Sequence, residues 1–138
     1  MLFRSLAIAV VGAHLSGLPL NGQLRERGAS LVQATLTAPA YRLFALPTLA
    51  NSTTPPKPGM LRSDSGGGAI AVEVWDMPQS AVGSFLAMIP PPLGLGSIEL
   101  ADGRWVHGFL CEAHALAGAL EITALGGWRA YLASLPKP

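Results

Sequence analysis

Charged side chains are scarce in this chain of 138 residues. Only 12% are Asp, Glu, Lys or Arg, and nine basic against eight acidic residues leave a formal net charge of +1. The arginines are scattered from Arg4 to Arg129 and form no dense run. Phosphate contacts supply most of the affinity for nucleic acid, so this dispersal argues against a nucleic-acid partner. Cysteine is nearly absent too. Cys111 alone excludes an internal disulfide and any multi-cysteine metal site, and within Gly108-Phe109-Leu110-Cys111 it reads as a small buried hydrophobe. One unpaired thiol is compatible with a cytoplasmic setting. No apolar run approaches the roughly 20 residues that span a bilayer, and no membrane partner is expected.

Apolar residues are abundant: half the chain is hydrophobic, and the mean hydropathy is +0.41. Such a chain can bury a substantial core, and its length fits one domain over residues 1–138. Few polar residues remain to cover the surface, so an exposed apolar patch is expected, with a second copy or another domain to cover it.

The N-terminal Met1-Leu2-Phe3-Arg4 and the apolar run after it have the look of a short secretory leader. The run continues unbroken into Gly12-Ala13-His14-Leu15-Ser16-Gly17, however, and residues 6–11 read better as a strand buried on both faces. A loop follows, then a short helix capped by Asn21 and stopped at Gly28. Residues 30–37 and 41–46 have strand character. Residues 51–68 are rich in Pro, Ser, Thr and Gly and read as loop, with Pro58-Gly59-Met60-Leu61-Arg62 its most ordered part. Residues 69–75 alternate as a strand. Pro78 opens a helix over residues 79–89 that Pro90-Pro91-Pro92 terminates. Residues 97–101 and 104–111 flank Asp102-Gly103, a strong hairpin signal. A short helical segment is expected around residues 114–119. Trp128, Tyr131 and Leu132 share one face of a terminal helix. The order of elements predicts an α+β domain with a mixed, barrel-like sheet and short flanking helices.

Residues 11–21 (Val-Gly-Ala-His-Leu-Ser-Gly-Leu-Pro-Leu-Asn), 37–46, 56–59, 72–78 (Val-Glu-Val-Trp-Asp-Met-Pro), 89–94, 103–112 and 126–132 together resemble the C-terminal domain of allophanate hydrolase, in order along nearly the whole chain. A broader likeness is to the gamma-glutamyl-cyclotransferase superfamily, in which a tight loop after the first strand holds the substrate through backbone amides. Here Val11-Gly12-Ala13-His14 through Ser16 occupies that place. A cyclotransferase also needs a carboxylate acid/base on a later helix; residues 85–92 (Phe-Leu-Ala-Met-Ile-Pro-Pro-Pro) offer none. What the resemblance implies is a free-standing copy of the domain that decarboxylates N-carboxyurea, a carbamate, to urea. The amidase domain that makes N-carboxyurea from allophanate has no counterpart here.

Loss of carbon dioxide from a carbamate leaves negative charge on nitrogen unless a proton arrives, and histidine is the natural donor near neutral pH. His14, in a glycine-flanked loop directly after a buried strand, is the expected general acid. The loop Gly12, Ala13, Leu15, Ser16 and Gly17 is expected to bind the carboxylate through amides and the Ser16 hydroxyl, although Ser16 serves equally well as a helix cap. Tyr41 or Arg42 would orient the urea end; as strand neighbours they point to opposite faces, so at most one reaches the cleft. Glu73 reads as the partner of an arginine. His107, Glu112 and His114 do not add up to a metal site, and neither metal nor cofactor is expected. Trp75, Trp105 and Trp128 read as packing or interface residues. The expected partners are a small ureido or carboxylate ligand and either a second copy, giving a homodimer, or an amidase partner. On the competing reading the chain is a non-catalytic assembly or small-anion-binding module.

Overall fold

The computed structural model describes residues 4–48 and 51–137; Met1–Phe3 of the leader-like segment lie outside them. The run read as the first strand is β1 (Ser5–Val10). It is the middle strand of a five-stranded sheet, β2-β5-β1-β7-β6, where β2 is Ser30–Leu36, β5 Ala71–Pro78, β6 Leu93–Glu99 and β7 Trp105–Cys111. β1 runs antiparallel to β5 and parallel to β7. Strands on either side and packing on both faces explain why its sequence is continuously apolar rather than alternating. Ile8, Ala9 and Val10 are buried, alongside Val72, Val74 and Trp75 of β5 and Phe109 of β7.

The sheet curls until its edges touch. Thr37 bridges to Leu100, Ala38 N–H donates to Glu99 O and Ala101 N–H to Leu36 O. The edge strands therefore meet at one corner, without a ladder that continues around. A smaller sheet, β4-β3-β8, packs beside it, with β3 at Tyr41–Ala45, β4 at Pro58–Arg62 and β8 at Leu120–Glu121. The result is the expected α+β architecture, and the Pro58–Arg62 segment within the long loop is indeed ordered, as a strand.

Among the described residues, three α-helices flank the sheets: α1 (Asn21–Arg25), α2 (Gln79–Leu86) and α3 (Trp128–Ser134). α1 starts at Asn21 itself, with Leu20 at the cap position, so the Asn21 side chain does not cap the helix. It donates instead to His14 O (2.8 Å) and accepts from Arg25 Nε. α2 is shorter than the expected 79–89. After Ala87 the backbone bonds tighten to Met88 N–H with Phe85 O and Ile89 N–H with Leu86 O, a narrowing usual at helix ends. The segment expected to be helical at 114–119 is one 3₁₀ turn, Ala113–Leu116. The hairpin forms around Asp102-Gly103, with Gly103 at φ 90°, where glycine carries no Cβ penalty. β6 extends back to Leu93, further than the 97–101 segment. In α3 the Trp128 and Tyr131 rings lie 5.1 Å apart, as their shared face implies. Trp75 and Trp128 are buried, whereas Trp105 is exposed beneath the Arg62 guanidinium.

The β1–β7 pairing requires a glycine. A Cβ on Gly108 would lie 2.4 Å from Ile98 Cδ1 and 2.9 Å from Ala9 O, both fixed in the packed interior. Gly108→Ala is expected to cost about 1–3 kcal/mol, the usual range for overpacking, read as a lowered urea midpoint at unchanged m-value. A midpoint equal to that of the wild type would mean that β1 and β7 are not held this tightly.

Candidate functional site

The chain leaves β1 into a loop folded on itself. Leu15 N–H donates to Gly12 O, Leu18 N–H to Leu15 O and Leu20 N–H to Ala13 O. Gly12 is a close-approach position, since a Cβ there would sit 2.4 Å from Pro58 Cδ. Thus the Pro58 end of β4 presses on the loop just ahead of His14. Among the described residues, the amides of Gly12, Ala13 and His14 donate to no protein acceptor.

His14 is buried, with 8% of its surface exposed. Its ring packs against Phe109 (centroids 4.9 Å apart) and edge-on to Phe85 (5.3 Å). Its Nε2 is 2.7 Å from Gln23 Oε1 on α1. Burial pushes the imidazole below its ordinary value, the Gln23 hydrogen bond works the other way, and the Lys57 charge adds to the lowering. His14, Gly12, Ala13, Gln23 and Lys57 line one pocket of about 180 Å³, closed by apolar side chains that include Ile89, Leu93 and Phe109. That is small beside the roughly 300–1,000 Å³ of typical ligand pockets and suits a ligand of few heavy atoms.

The other candidate residues lie elsewhere. Leu15 is buried and faces a second groove, beneath α3. Ser16 turns the same way: its N–H and Oγ–H both donate to Glu73 Oε1 (2.9 and 3.0 Å). Gly17 makes the turn at φ 78°. The Tyr41 hydroxyl, buried, accepts from Glu99 N–H (2.9 Å). Arg42 forms a two-pronged pair with Glu121 at the surface. Neither Tyr41 nor Arg42 lines the His14 pocket. Glu73 is paired, in line with its structural reading. It also takes the Trp75 indole N–H (3.1 Å) and Arg129 (3.2 Å). Burial raises its pKa, but the Ser16 N–H, the Trp75 N–H, the Ser16 hydroxyl and Arg129 together hold it below the ordinary value.

Cys111 is buried, and its thiol is pushed up by that burial. His114 and Glu112 are exposed and 3.8 Å apart. No cluster of three or more metal-ligating side chains occurs among the described residues, and no helix among them is long and apolar enough to cross a membrane.

Gln23 and Lys57 escaped the sequence reading. Gln23 lies in a segment whose sequence pattern marks only a short helix. Lys57 had a usable signal: it is one of two lysines in the chain and stands between prolines beside Gly59, a rigid setting for a single charge.

Comparison with known proteins gives a consistent picture. The profile of the allophanate hydrolase C-terminal domain matches residues 6–133. A urea amidolyase of Saccharomyces cerevisiae is 45% identical over 136 residues, which is 96% of this chain but 7% of that protein. The Kluyveromyces lactis allophanate hydrolase structure superposes at a TM-score of 0.88 with 41% identity, over 94% of this chain and 21% of the other. A uropathogenic E. coli-specific protein superposes at 0.84 with 34% identity and is covered over 99% of its own length. A gamma-glutamyl cyclotransferase at 12% identity and TM-score 0.57 shares the fold alone. This chain thus spans under a tenth of the length of the curated relatives it matches.

The buried imidazole has a measurable signature. Its folded pKa lies below the ordinary 6.5, so between the two values the unfolded chain binds more protons, and stability rises with pH through that window. An NMR titration of His14 is expected to give a midpoint under 6.5, with the urea midpoint falling as pH drops from about 6.5 and His14→Gln flattening that fall. A midpoint at or above 6.5 would contradict the buried, neutral ring.

Proposed function

The chain belongs to the allophanate hydrolase C-terminal domain family, and we propose that it accelerates the decarboxylation of N-carboxyurea to urea in urea catabolism, with His14 as proton donor. One observation carries this reading: His14, Lys57, Gly12 and Ala13 line one small, mostly apolar pocket, and among the described residues the amides of Gly12, Ala13 and His14 have no protein acceptor.

The reaction adds one proton to the N-carboxyurea anion and yields urea and carbon dioxide. The bond from nitrogen to the carboxylate carbon breaks, its electron pair stays on nitrogen, and the proton must arrive there. In the free pocket His14 is neutral. A bound carboxylate brings the negative charge that offsets both burial and Lys57, so the imidazole takes a proton from water as the substrate binds and hands it to the leaving nitrogen. Amides 12–14 hold the carboxylate, and Lys57 draws the anion in. Holding the carboxylate too tightly would stabilise the reactant whose charge the reaction removes. Neutral amides and one flexible lysine meet that requirement better than a rigid arginine fork. The apolar walls of Ile89, Leu93 and Phe109 keep water from the leaving group.

A second reading, a docking module for another copy or an amidase domain, is favoured by β2. This edge strand carries no charge, and its Leu31, Val32 and Leu36 are about half exposed, without the charges or prolines that usually blunt an edge.

The decisive assay follows carbon dioxide release from allophanate supplied to an isolated amidase domain. The chain is expected to raise the rate above the spontaneous background, and His14→Ala to remove about 10²–10⁴-fold of that gain. Lys57→Met is expected to raise the half-saturating substrate concentration more than it lowers the limiting rate. Release at the background rate with the wild-type chain, together with a complex that Leu31→Glu breaks and His14→Ala leaves intact, would replace the enzyme reading with the docking one.

A further inference from the structure

Deepening this account of His14, and resting on it, we infer that Gln23 is a positioning residue: it fixes the imidazole tautomer, so that Nε2 carries the proton and Nδ1 is the nitrogen that meets the ligand. Gln23 Oε1 lies 2.7 Å from His14 Nε2. A carboxamide oxygen only accepts, so Nε2 must donate. A neutral imidazole has one N–H, which leaves Nδ1 with a bare lone pair. Nδ1 has no protein partner among the described residues, and no buried side-chain nitrogen or oxygen among them is left unpaired. Nδ1 is therefore the nitrogen open to the pocket.

The ring is held against reversal. Phe109 packs on it and Phe85 meets it edge-on, so a flip needs both to move. The helix that carries Gln23 is tied to the same loop, through Asn21 Nδ2 to His14 O and Leu20 N–H to Ala13 O. Histidine and glutamine are thus placed by one unit of backbone rather than by two elements that could drift apart.

The choice of an amide also matters. Gln23 Oε1 accepts the same Nε2–H from imidazole and from imidazolium, so Nδ1 can gain and lose a proton with no rearrangement behind it. A carboxylate in that place would hold the ring charged between turnovers. The ionisable side chain that shares the pocket is Lys57. α2 contributes Phe85 and β7 contributes Phe109 to the ring's surroundings. Arg25 at the end of α1 turns to Asn21 and the Trp75 ring, and Arg27 in the turn after it to Ser84 and Met88.

The test is a long-range proton–nitrogen NMR spectrum of the ¹⁵N-labelled chain without ligand, joined to the pH profile of carbon dioxide release. Wild-type His14 is expected as the Nε2–H tautomer, and in Gln23→Leu the Nδ1–H form should appear. In Gln23→Glu the ring should keep Nε2–H while its midpoint, and with it the pH profile, move alkaline by roughly one to three pH units. Gln23→Glu keeps the test open should the leucine variant fail to fold. A wild-type Nδ1–H tautomer, or a Gln23→Glu midpoint equal to that of the wild type, overturns the assignment. Because the spectrum is taken without substrate, an Nε2–H tautomer in a chain that does not speed release supports Gln23's role and removes only the substrate reading.

Discussion

Everything near the pocket depends on β1 ending where it does. A strand buried on both faces has no solvent-facing side on which to place a functional group. The chain can present one only where the strand stops, and here it stops under Pro58, at a position where a Cβ would lie 2.4 Å from the proline ring. Gly12 therefore fixes the height at which the chain leaves the sheet, and His14 two residues later emerges beside Phe109 of the neighbouring parallel strand. The imidazole sits just beyond the buried end of β1, on a loop whose path has little freedom.

The far side of that loop is pinned electrostatically. Glu73 would be costly as a lone buried charge, but Ser16 gives it two hydrogen bonds, Trp75 a third and Arg129 an ion pair. The cluster joins the loop to β5 and α3. It also accounts for the direction of Ser16, which faces away from His14. The loop is thus pressed by Pro58 on one side and tied to Glu73 on the other, and Gly12, Ala13 and His14 line the pocket between them. Fixed donors of this kind need little reorganisation when charge moves during a reaction.

Much of this was legible in the sequence. The apolar run predicted β1, Asp102-Gly103 predicted the hairpin, and the likeness to the allophanate hydrolase C-terminal domain held along the chain. His14 could be singled out because a strand-to-loop junction flanked by glycine is a place where a side chain reaches a cleft. The destinations of Ser16, Tyr41 and Arg42 could not be read in the same way. Each depends on a partner at long range in sequence, Glu73, Glu99 and Glu121 respectively, and local patterning carries no record of such pairs. Gln23 and Lys57 were hidden for the same reason. They approach His14 from α1 and from the proline-rich segment, and only the tertiary fold brings them into one pocket.

The central claim is that this pocket receives a small carboxylate next to His14. Its most direct test is the titration of the His14 imidazole with and without saturating oxamate, a stable carboxylate with a carboxamide end. Oxamate is expected to raise the His14 midpoint from its lowered position in the free chain, and to do so less in Lys57→Met. A His14 titration that oxamate leaves unmoved would contradict the account.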